Sequence, residues 1–158
     1  MEFVSTIRIE VVDFKERYSE SRNDSDAYYY EYLSSFFTKL IRVMDVFTLS
    51  HVKSLTDKEV EILVYNMCCD LNKVKRPFYK KSRKQLLSLM SINNNTFAMH
   101  LGNLKQKGWV TEDGDLNPTL TMIKENFYEH VEKAYSSRRD FVYKFALPVE
   151  LILWYDRQ

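Results

Sequence analysis

The sequence predicts a mainly α fold with a small amount of β structure (α+β), built from 158 residues. Glycine and proline number only three each, which favours long helices joined by short connections. Apolar residues recur at helical spacing through the middle of the chain and alternate with polar residues near both ends. The hydrophobic content of 45% is enough for a packed core that needs no disulfide bond or metal ion.

Residues 1–50 are predicted to contain an N-terminal strand and a long helix that packs on or beside the core. In residues 3–12 apolar and polar positions alternate, which indicates a half-buried strand. Residues 24–26 are good helix N-caps, so we expect a helix over about residues 27–47. Its apolar stripe, spaced at three and four, consists of Tyr29, Leu33, Phe36, Phe37, Leu40, Met44 and Phe47.

A capping box begins the central segment, residues 54–120. Thr56 is followed three residues later by Glu59, a pair that caps a helix through reciprocal side-chain bonds, and an apolar stripe then continues to Cys68. Farther along, Ser82 is expected to cap a second, short helix. The segment is therefore predicted to start with two helices of different length.

A third helix and a hairpin are predicted to complete this segment. Residues 91–94 form a turn, and residues 95–107 form a helix that Gly108 ends as a left-handed C-cap. Residues 109–111 and the chain from Leu116 are expected to pair as short strands around a tight turn. This order of elements predicts a winged helix-turn-helix core over residues 54–120.

Residues 119–158 are predicted to add a C-terminal helix and a terminal strand. The helix covers about residues 119–135, with apolar residues at helical spacing. Apolar residues then occupy the odd positions from 141 to 153, and Pro148 restricts them to an edge strand or to two shorter pieces. Neither terminal strand has an obvious partner, which makes both candidates for pairing with neighbouring chains.

The basic residues are concentrated in one part of the chain. The formal net charge is only +1, but residues 71–111 contain nine basic residues and no acidic one. Such segregation is expected of a face that binds nucleic-acid phosphates. The sequence therefore predicts a surface that binds double-stranded DNA, with Lys80 and Lys81 among its phosphate contacts.

Three runs of sequence between residues 36 and 120 resemble the winged-helix domains of plasmid and phage replication initiators: FFTKLIRVMDVFTLSHVKSLTDKEVEILVYNMC, SRKQLLSLMSINNNTFAMHLGNLKQKGWV and LNPTL. The resemblance implies a DNA-binding regulator or replication protein whose third helix lies in the major groove and whose wing lies along the minor groove. The contacts that it implies are Ser82, Arg83 and Lys84 with phosphates at a helix start, Asn94, Asn95 and Thr96 with bases, and Lys105 and Lys107 with the backbone.

The outward face of the predicted third helix departs from that pattern. Ala98, Met99 and Gly102 offer no hydrogen bond to a base edge, and a glycine inside a helix indicates that something approaches it closely. The predicted wing tip would repel phosphate because it is acidic, with Glu112, Asp113 and Asp115.

A structural or assembly protein is the alternative hypothesis. A face of small residues and Met suits a protein surface as well as it suits DNA. Such a protein could belong to a phage particle, as a neck, ring, tail or internal component, and would dock other chains through the winged helix and the terminal strands. The tyrosines at 28–30 either pack against the rest of the chain or contact a partner helix or second copy in a homo-oligomer.

No enzymatic activity is expected, and no metal, cofactor or small-molecule substrate. His51, His100 and His130 are far apart, and the sequence shows no nucleophile elbow, phosphate loop or carboxylate pair. Cys68 and Cys69 are expected to be reduced core residues. No signal peptide or membrane span is expected, which predicts a cytoplasmic protein, or a virion component under the alternative hypothesis.

Overall fold

The computed structural model describes residues 2–9, 26–47, 54–69, 76–137 and 141–148. The elements in chain order are β1 (Glu2–Ile9), α1 (Asp26–Phe47), α2 (Asp57–Cys68), α3 (Lys84–Met90), α4 (Asn94–Gln106), α5 (Pro118–Ser137) and β2 (Phe141–Pro148). The predicted cap positions 24 and 25 and the predicted strand positions 10–12 and 149–153 lie outside the described residues.

β1 and β2 pair with each other in an antiparallel two-stranded sheet. Glu2 lies opposite Pro148, and Ile9 lies opposite Phe141. The two terminal strands, for which the sequence shows no obvious partner, are therefore partners of one another. Within the described residues, no third strand adjoins either of them.

α2 lies in the centre of the hydrophobic core. It has 12 residues, and nine of them are buried: Glu59, Val60, Ile62, Leu63, Val64, Tyr65, Asn66, Met67 and Cys68. Phe37 of α1 and Phe127 of α5 meet edge to face, with their ring centroids 5.2 Å apart. The Tyr128 hydroxyl of α5 donates to the Met67 carbonyl of α2 over 2.8 Å. α1, α2 and α5 thus form one packed unit.

α4 presents one face to this core and the opposite face to solvent. Its buried residues Phe97, Leu101 and Leu104 recur at helical spacing. Gly108, at φ 83°, follows the helix, which confirms the predicted glycine C-cap. At the other end, Ser91 has φ 54° and forms the turn between α3 and α4.

The prediction of a winged helix-turn-helix is wrong, because the described residues contain no β-wing. Between α4 and α5 a single isolated bridge joins Val110 to Leu116. The chain between them is a tight turn in which the Thr111 amide donates to the Asp115 carbonyl over 2.7 Å. Gly114, at φ 87°, provides the positive-φ position of that turn. The segment between residues 54 and 120 is therefore helical. The described chain as a whole contains five helices and a two-stranded sheet formed by its terminal strands.

The helices on both sides limit the pairing to this one bridge and its two flanking hydrogen bonds, of which the second joins the Asn117 amide to the Trp109 carbonyl over 2.9 Å. The amides of Trp109 and Val110 donate to the Leu104 carbonyl at the end of α4. Asn117 caps α5, since its Oδ1 accepts from the Leu120 amide over 2.8 Å. Its Nδ2 also donates to the Gly108 carbonyl over 3.1 Å, so one residue closes α4 and begins α5. Too little chain remains between these caps for a ladder.

We predict that Asn117→Ala lowers the free energy of unfolding by about 2–3 kcal/mol, because it removes a helix cap and leaves the Gly108 carbonyl without its donor. Asn117→Ser restores a cap acceptor and should recover about 1 kcal/mol of this loss. Urea denaturation followed by circular dichroism measures both. As a matched control, Asn103→Ala on the exposed face of α4 should change stability by less than about 0.5 kcal/mol. Equal effects at positions 117 and 103 would contradict the capping role.

Candidate nucleic-acid interface

A turn before α3 holds the first lysines of the basic segment at the surface. The Tyr79 amide donates to the Arg76 carbonyl, and the Ser82 amide donates to the Tyr79 carbonyl. Phe78 is buried, and its ring centroid lies 5.8 Å from that of Phe97 in the first turn of α4. This contact anchors the turn on α4. Lys80 and Lys81 are exposed on the same turn.

Arg83 packs against α4 beside this turn. Its guanidinium carbon lies 4.7 Å from the centroid of the Phe97 ring, within the range of a cation–π contact. Burial lowers the pKa of the guanidinium below its ordinary value. Its Nε is buried and has no hydrogen-bond partner within the described residues. The side chain is therefore held in place by the aromatic ring rather than by a carboxylate.

The predicted cap of α3 is wrong. α3 begins at Lys84, and the cap position belongs to Arg83, whose side chain makes no capping bond. Ser82 is half-buried in the preceding turn, where its amide is already bound. Lys84 is exposed at the start of the helix.

The first turn of α4 carries the predicted base contacts. Asn94 and Asn95 are exposed, and Thr96 is half-buried. Asn93 is the actual N-cap, and its Oδ1 accepts from the Thr96 amide over 2.8 Å. The prediction of Asn93 within the turn is wrong, although the spacing of three residues to Thr96 is typical of a cap.

The outward face of α4 is open to solvent. Its exposed residues are Asn95, Ala98, Met99, Gly102, Asn103 and Gln106. A Cβ atom built on Gly102 meets no atom within 4 Å, so the expected close approach to this glycine is absent from the described part of the chain. The two exposed amides of Asn103 and Gln106 were missed by the sequence analysis. Gln106 lies three helical turns after Asn95, so its position on the same face as Asn95 could have been predicted from this spacing.

Lys107 is not available at this surface, which corrects its predicted contact with the DNA backbone. Its Nζ lies 2.6 Å from Oε1 of Glu59 and donates to the Ser54 carbonyl over 3.0 Å. The Lys107 side chain is only 12% exposed and that of Glu59 only 1%. The predicted capping box is confirmed here, because Thr56 and Glu59 bind each other's backbone amides.

Arg76 is also bound within the protein. Its Nε lies 3.0 Å from Oδ1 of Asp115, and its terminal nitrogen donates to the Asp113 carbonyl over 2.8 Å. The guanidinium carbon lies 5.4 Å from the centroid of the Tyr79 ring. The acidic turn that was expected to repel phosphate thus has a basic partner of its own.

Four lysines of the basic segment keep their charge available. Lys80, Lys81 and Lys84 are exposed, and Lys105 is half-buried. Within the described residues, none of the four forms an ion pair. We call Lys80, Lys81, Arg83, Lys84 and Lys105 the basic face. Lys73 and Lys75 lie outside the described residues.

Comparison with models of known protein families, with characterised proteins and with solved structures gives no match for this chain. Among the described helices, none is both long and apolar enough to span a membrane. The same part of the chain contains no group of three or more His, Cys, Asp or Glu side chains placed to bind a metal ion.

We predict that Lys107→Met lowers the free energy of unfolding at neutral pH by about 3 kcal/mol, because it leaves the Glu59 carboxylate buried without its cation. Lys105→Met, two residues away on the same helix end, should cost less than about 0.5 kcal/mol. Urea denaturation measures both variants. A similar loss in the two variants would contradict the structural role of Lys107.

The loss in Lys107→Met should shrink as the pH falls. Burial raises the pKa of Glu59, but the bonds from Lys107 and Thr56 outweigh it and hold the pKa below its usual value. A lowered pKa contributes stability above the unfolded-state pKa of about 4.3, which is lost in acid. Without Lys107 only burial and the Thr56 bonds remain, so protonation relieves the variant. Repeating the urea denaturation from pH 7 to pH 4 tests this sign.

Proposed function

We propose that this protein is a non-enzymatic DNA-binding protein that contacts the phosphates of double-stranded DNA through its basic face. The proposal rests on one observation: some basic side chains of this protein are bound to acidic groups, and others are not. Arg76 and Lys107 are neutralised by Asp115 and Glu59, whereas the four lysines of the basic face have no acidic partner in the described residues. Lysines near phosphates release condensed counterions, which drives binding without sequence preference.

Arg83 supplies a fixed contact within this face. A planar guanidinium that is stacked on an aromatic ring loses little freedom when its terminal nitrogens bind a phosphate. Packing on Phe97 also ties Arg83 to the first turn of α4. A phosphate bound at Arg83 would therefore lie near the first turn of α4, and the half-buried Ser82 hydroxyl is an additional donor.

α4 is the element that meets the bases in this proposal. The major groove of B-DNA admits an α-helix, and the outward face of α4 carries exposed amide groups at both ends. No minor-groove contact by a wing belongs to the proposal, because the chain has only a tight, acidic turn at that position. The proposal keeps the cytoplasmic location that the sequence predicts. A role as a phage or plasmid regulator or replication protein stays a prediction from the sequence resemblance.

The terminal sheet favours a second candidate function, that of an assembly protein that docks other chains. A two-stranded sheet has little stability by itself in water, and each of these strands has a free outer edge within the described residues. A strand from another copy, or from a phage-particle protein, would complete it. Under this hypothesis the chain forms an oligomer on a sizing column with light scattering, and a proline substitution at a β1 position whose amide points away from β2 dissociates it. A monomer over a wide concentration range would contradict self-assembly.

For DNA binding, we predict that log affinity falls linearly with log salt, with a slope of about −4 for four to five phosphate contacts. The double variant Lys81→Ala/Lys84→Ala should reduce the magnitude of that slope by about 2. Fluorescence anisotropy with a labelled duplex of random sequence, titrated between 50 and 200 mM salt (about the range where such slopes are measured), provides the measurement.

Lys58→Ala/Lys133→Ala is the matched control for this experiment. It removes the same charge, from lysines that pair with Glu61 and Glu129 on α2 and α5. Its slope should equal that of the wild type. An equal loss of slope in both double variants would show that only net charge matters, and absence of binding at the lowest salt would contradict the function altogether.

A further inference from the structure

The outward face of α4 is uncharged, although basic residues flank it. The six exposed residues of this face are Asn95, Ala98, Met99, Gly102, Asn103 and Gln106. Phe97, Leu101 and Leu104 are buried on the opposite side of the helix. The face therefore offers a fixed set of chemical groups: side-chain amides, one thioether, one methyl and a bare stretch of backbone.

These groups match the major-groove edge of one kind of base pair. Adenine presents an acceptor and a donor that the amide of Asn or Gln binds in bidentate fashion, and thymine presents a methyl group that apolar side chains contact. Guanine is bound by Arg or Lys, and cytosine donates to Asp or Glu. The outward face of α4 carries neither a basic nor an acidic side chain. Its composition corresponds to A·T pairs.

The arrangement along the helix fits this chemistry. Asn95, Met99 and Gln106 follow one another at intervals of four and seven residues, so they share one stripe. This stripe is about 16 Å long at 1.5 Å per residue, which is about the length of five stacked base pairs. The amides stand at its ends and the thioether stands between them.

Gly102 completes the stripe. Glycine weakens a helix relative to alanine, yet nothing in the described chain occupies the space beside it. Met99, one turn earlier, is 55% exposed, so a large apolar side chain stands in water next to this gap. A surface that lacks a side chain lets a base edge approach the helix backbone closely.

We infer that α4 recognises A·T base pairs in the major groove, with Met99 and Ala98 against thymine methyl groups and with Asn95 and Gln106 bound to adenine. The inference rests on the proposed function, because it requires that the basic face bring α4 onto a duplex. It adds a sequence preference that the basic face alone does not provide.

Alternating duplexes test the inference without knowledge of a target site, because every register of such a duplex is equivalent. The full chain is titrated with alternating dA-dT, dA-dU and dG-dC duplexes of equal length. dA-dU differs from dA-dT only by the missing methyl groups. We expect dA-dT to bind about fourfold more tightly than dA-dU for each methyl group that is buried. The affinity for dA-dT should exceed the affinity for dG-dC by a factor of about ten or more.

Met99→Ser should reduce the ratio of dA-dT to dA-dU affinity at least by half. Met122→Ser is its matched control, because Met122 is an exposed methionine on α5, 44% exposed, and its loss should leave the ratio unchanged. Gln106→Ala should lower the preference for dA-dT over dG-dC, while Asn103→Ala at the margin of the face should affect it less. Since the comparison of duplexes needs only the wild-type chain, it does not depend on the folding of any variant.

The outcomes separate this inference from the proposed function. Equal affinity for the three duplexes, with the steep salt dependence retained, overturns A·T recognition and leaves phosphate binding intact. A wild-type ratio that persists in Met99→Ser overturns the assignment of the methyl contact to α4. Absence of binding to every duplex overturns both.

Discussion

The ion pair between Glu59 and Lys107 joins the start of α2 to the end of α4, and the position of α4 depends on it. One oxygen of the Glu59 carboxylate accepts from the Thr56 amide over 2.7 Å and from the Lys107 ammonium over 2.6 Å. The same ammonium binds the Ser54 carbonyl. α2 is packed in the core on nearly every side, so its orientation is fixed. The ion pair therefore fixes the end of α4 relative to a well-packed helix. The other oxygen of Glu59 is buried and has no hydrogen-bond partner among the described residues, so the carboxylate depends on Lys107 for compensation.

This constraint explains how the basic segment is divided. A run of cations with no intervening acid would repel itself if every side chain pointed outward. Two of its members are instead bound at the borders of the segment, Arg76 to the turn before α5 and Lys107 to α2. Both bonds also position backbone, since they tie the turn before α3 and the end of α4 to other parts of the fold. Among the described cations that remain, Lys80, Lys81 and Lys84 are exposed and Lys105 lies on α4 itself.

The helices could be predicted from the sequence closely, because their signals are local. The structure places α1 at Asp26–Phe47, α4 at Asn94–Gln106 and α5 at Pro118–Ser137, each within two residues of its predicted bounds. The capping box and the glycine C-cap follow from residue types at fixed spacing. The absence of a wing from the described residues could not be predicted in this way. Alternating residues around Gly114 resemble a hairpin, but the caps of two neighbouring helices compete for the same amides and carbonyls.

The candidate site could likewise be predicted only in part, because some of its features follow from local sequence and others depend on contacts between distant residues. The composition of residues 80–84 predicts a surface of positive charge. The ion pair that makes Lys107 unavailable, by contrast, depends on a glutamate 48 residues earlier in the chain. Arg83 is similar, because only the folded chain brings Phe97 beneath its guanidinium. Long-range pairing of this kind leaves no mark on local sequence spacing. A charge run therefore predicts that a basic surface exists, but not which of its side chains are free.

The separation of charged and uncharged groups gives the two proposed contacts different physical properties. Phosphate contacts by the basic face weaken as salt rises, because counterions compete for the same charges. Methyl and amide contacts by the outward face of α4 carry no net charge, so salt affects them far less. Preference for A·T pairs would then persist while total affinity falls. A face of Arg or Lys would have tied recognition to the same salt dependence as binding, and the uncharged outward face of α4 avoids that coupling.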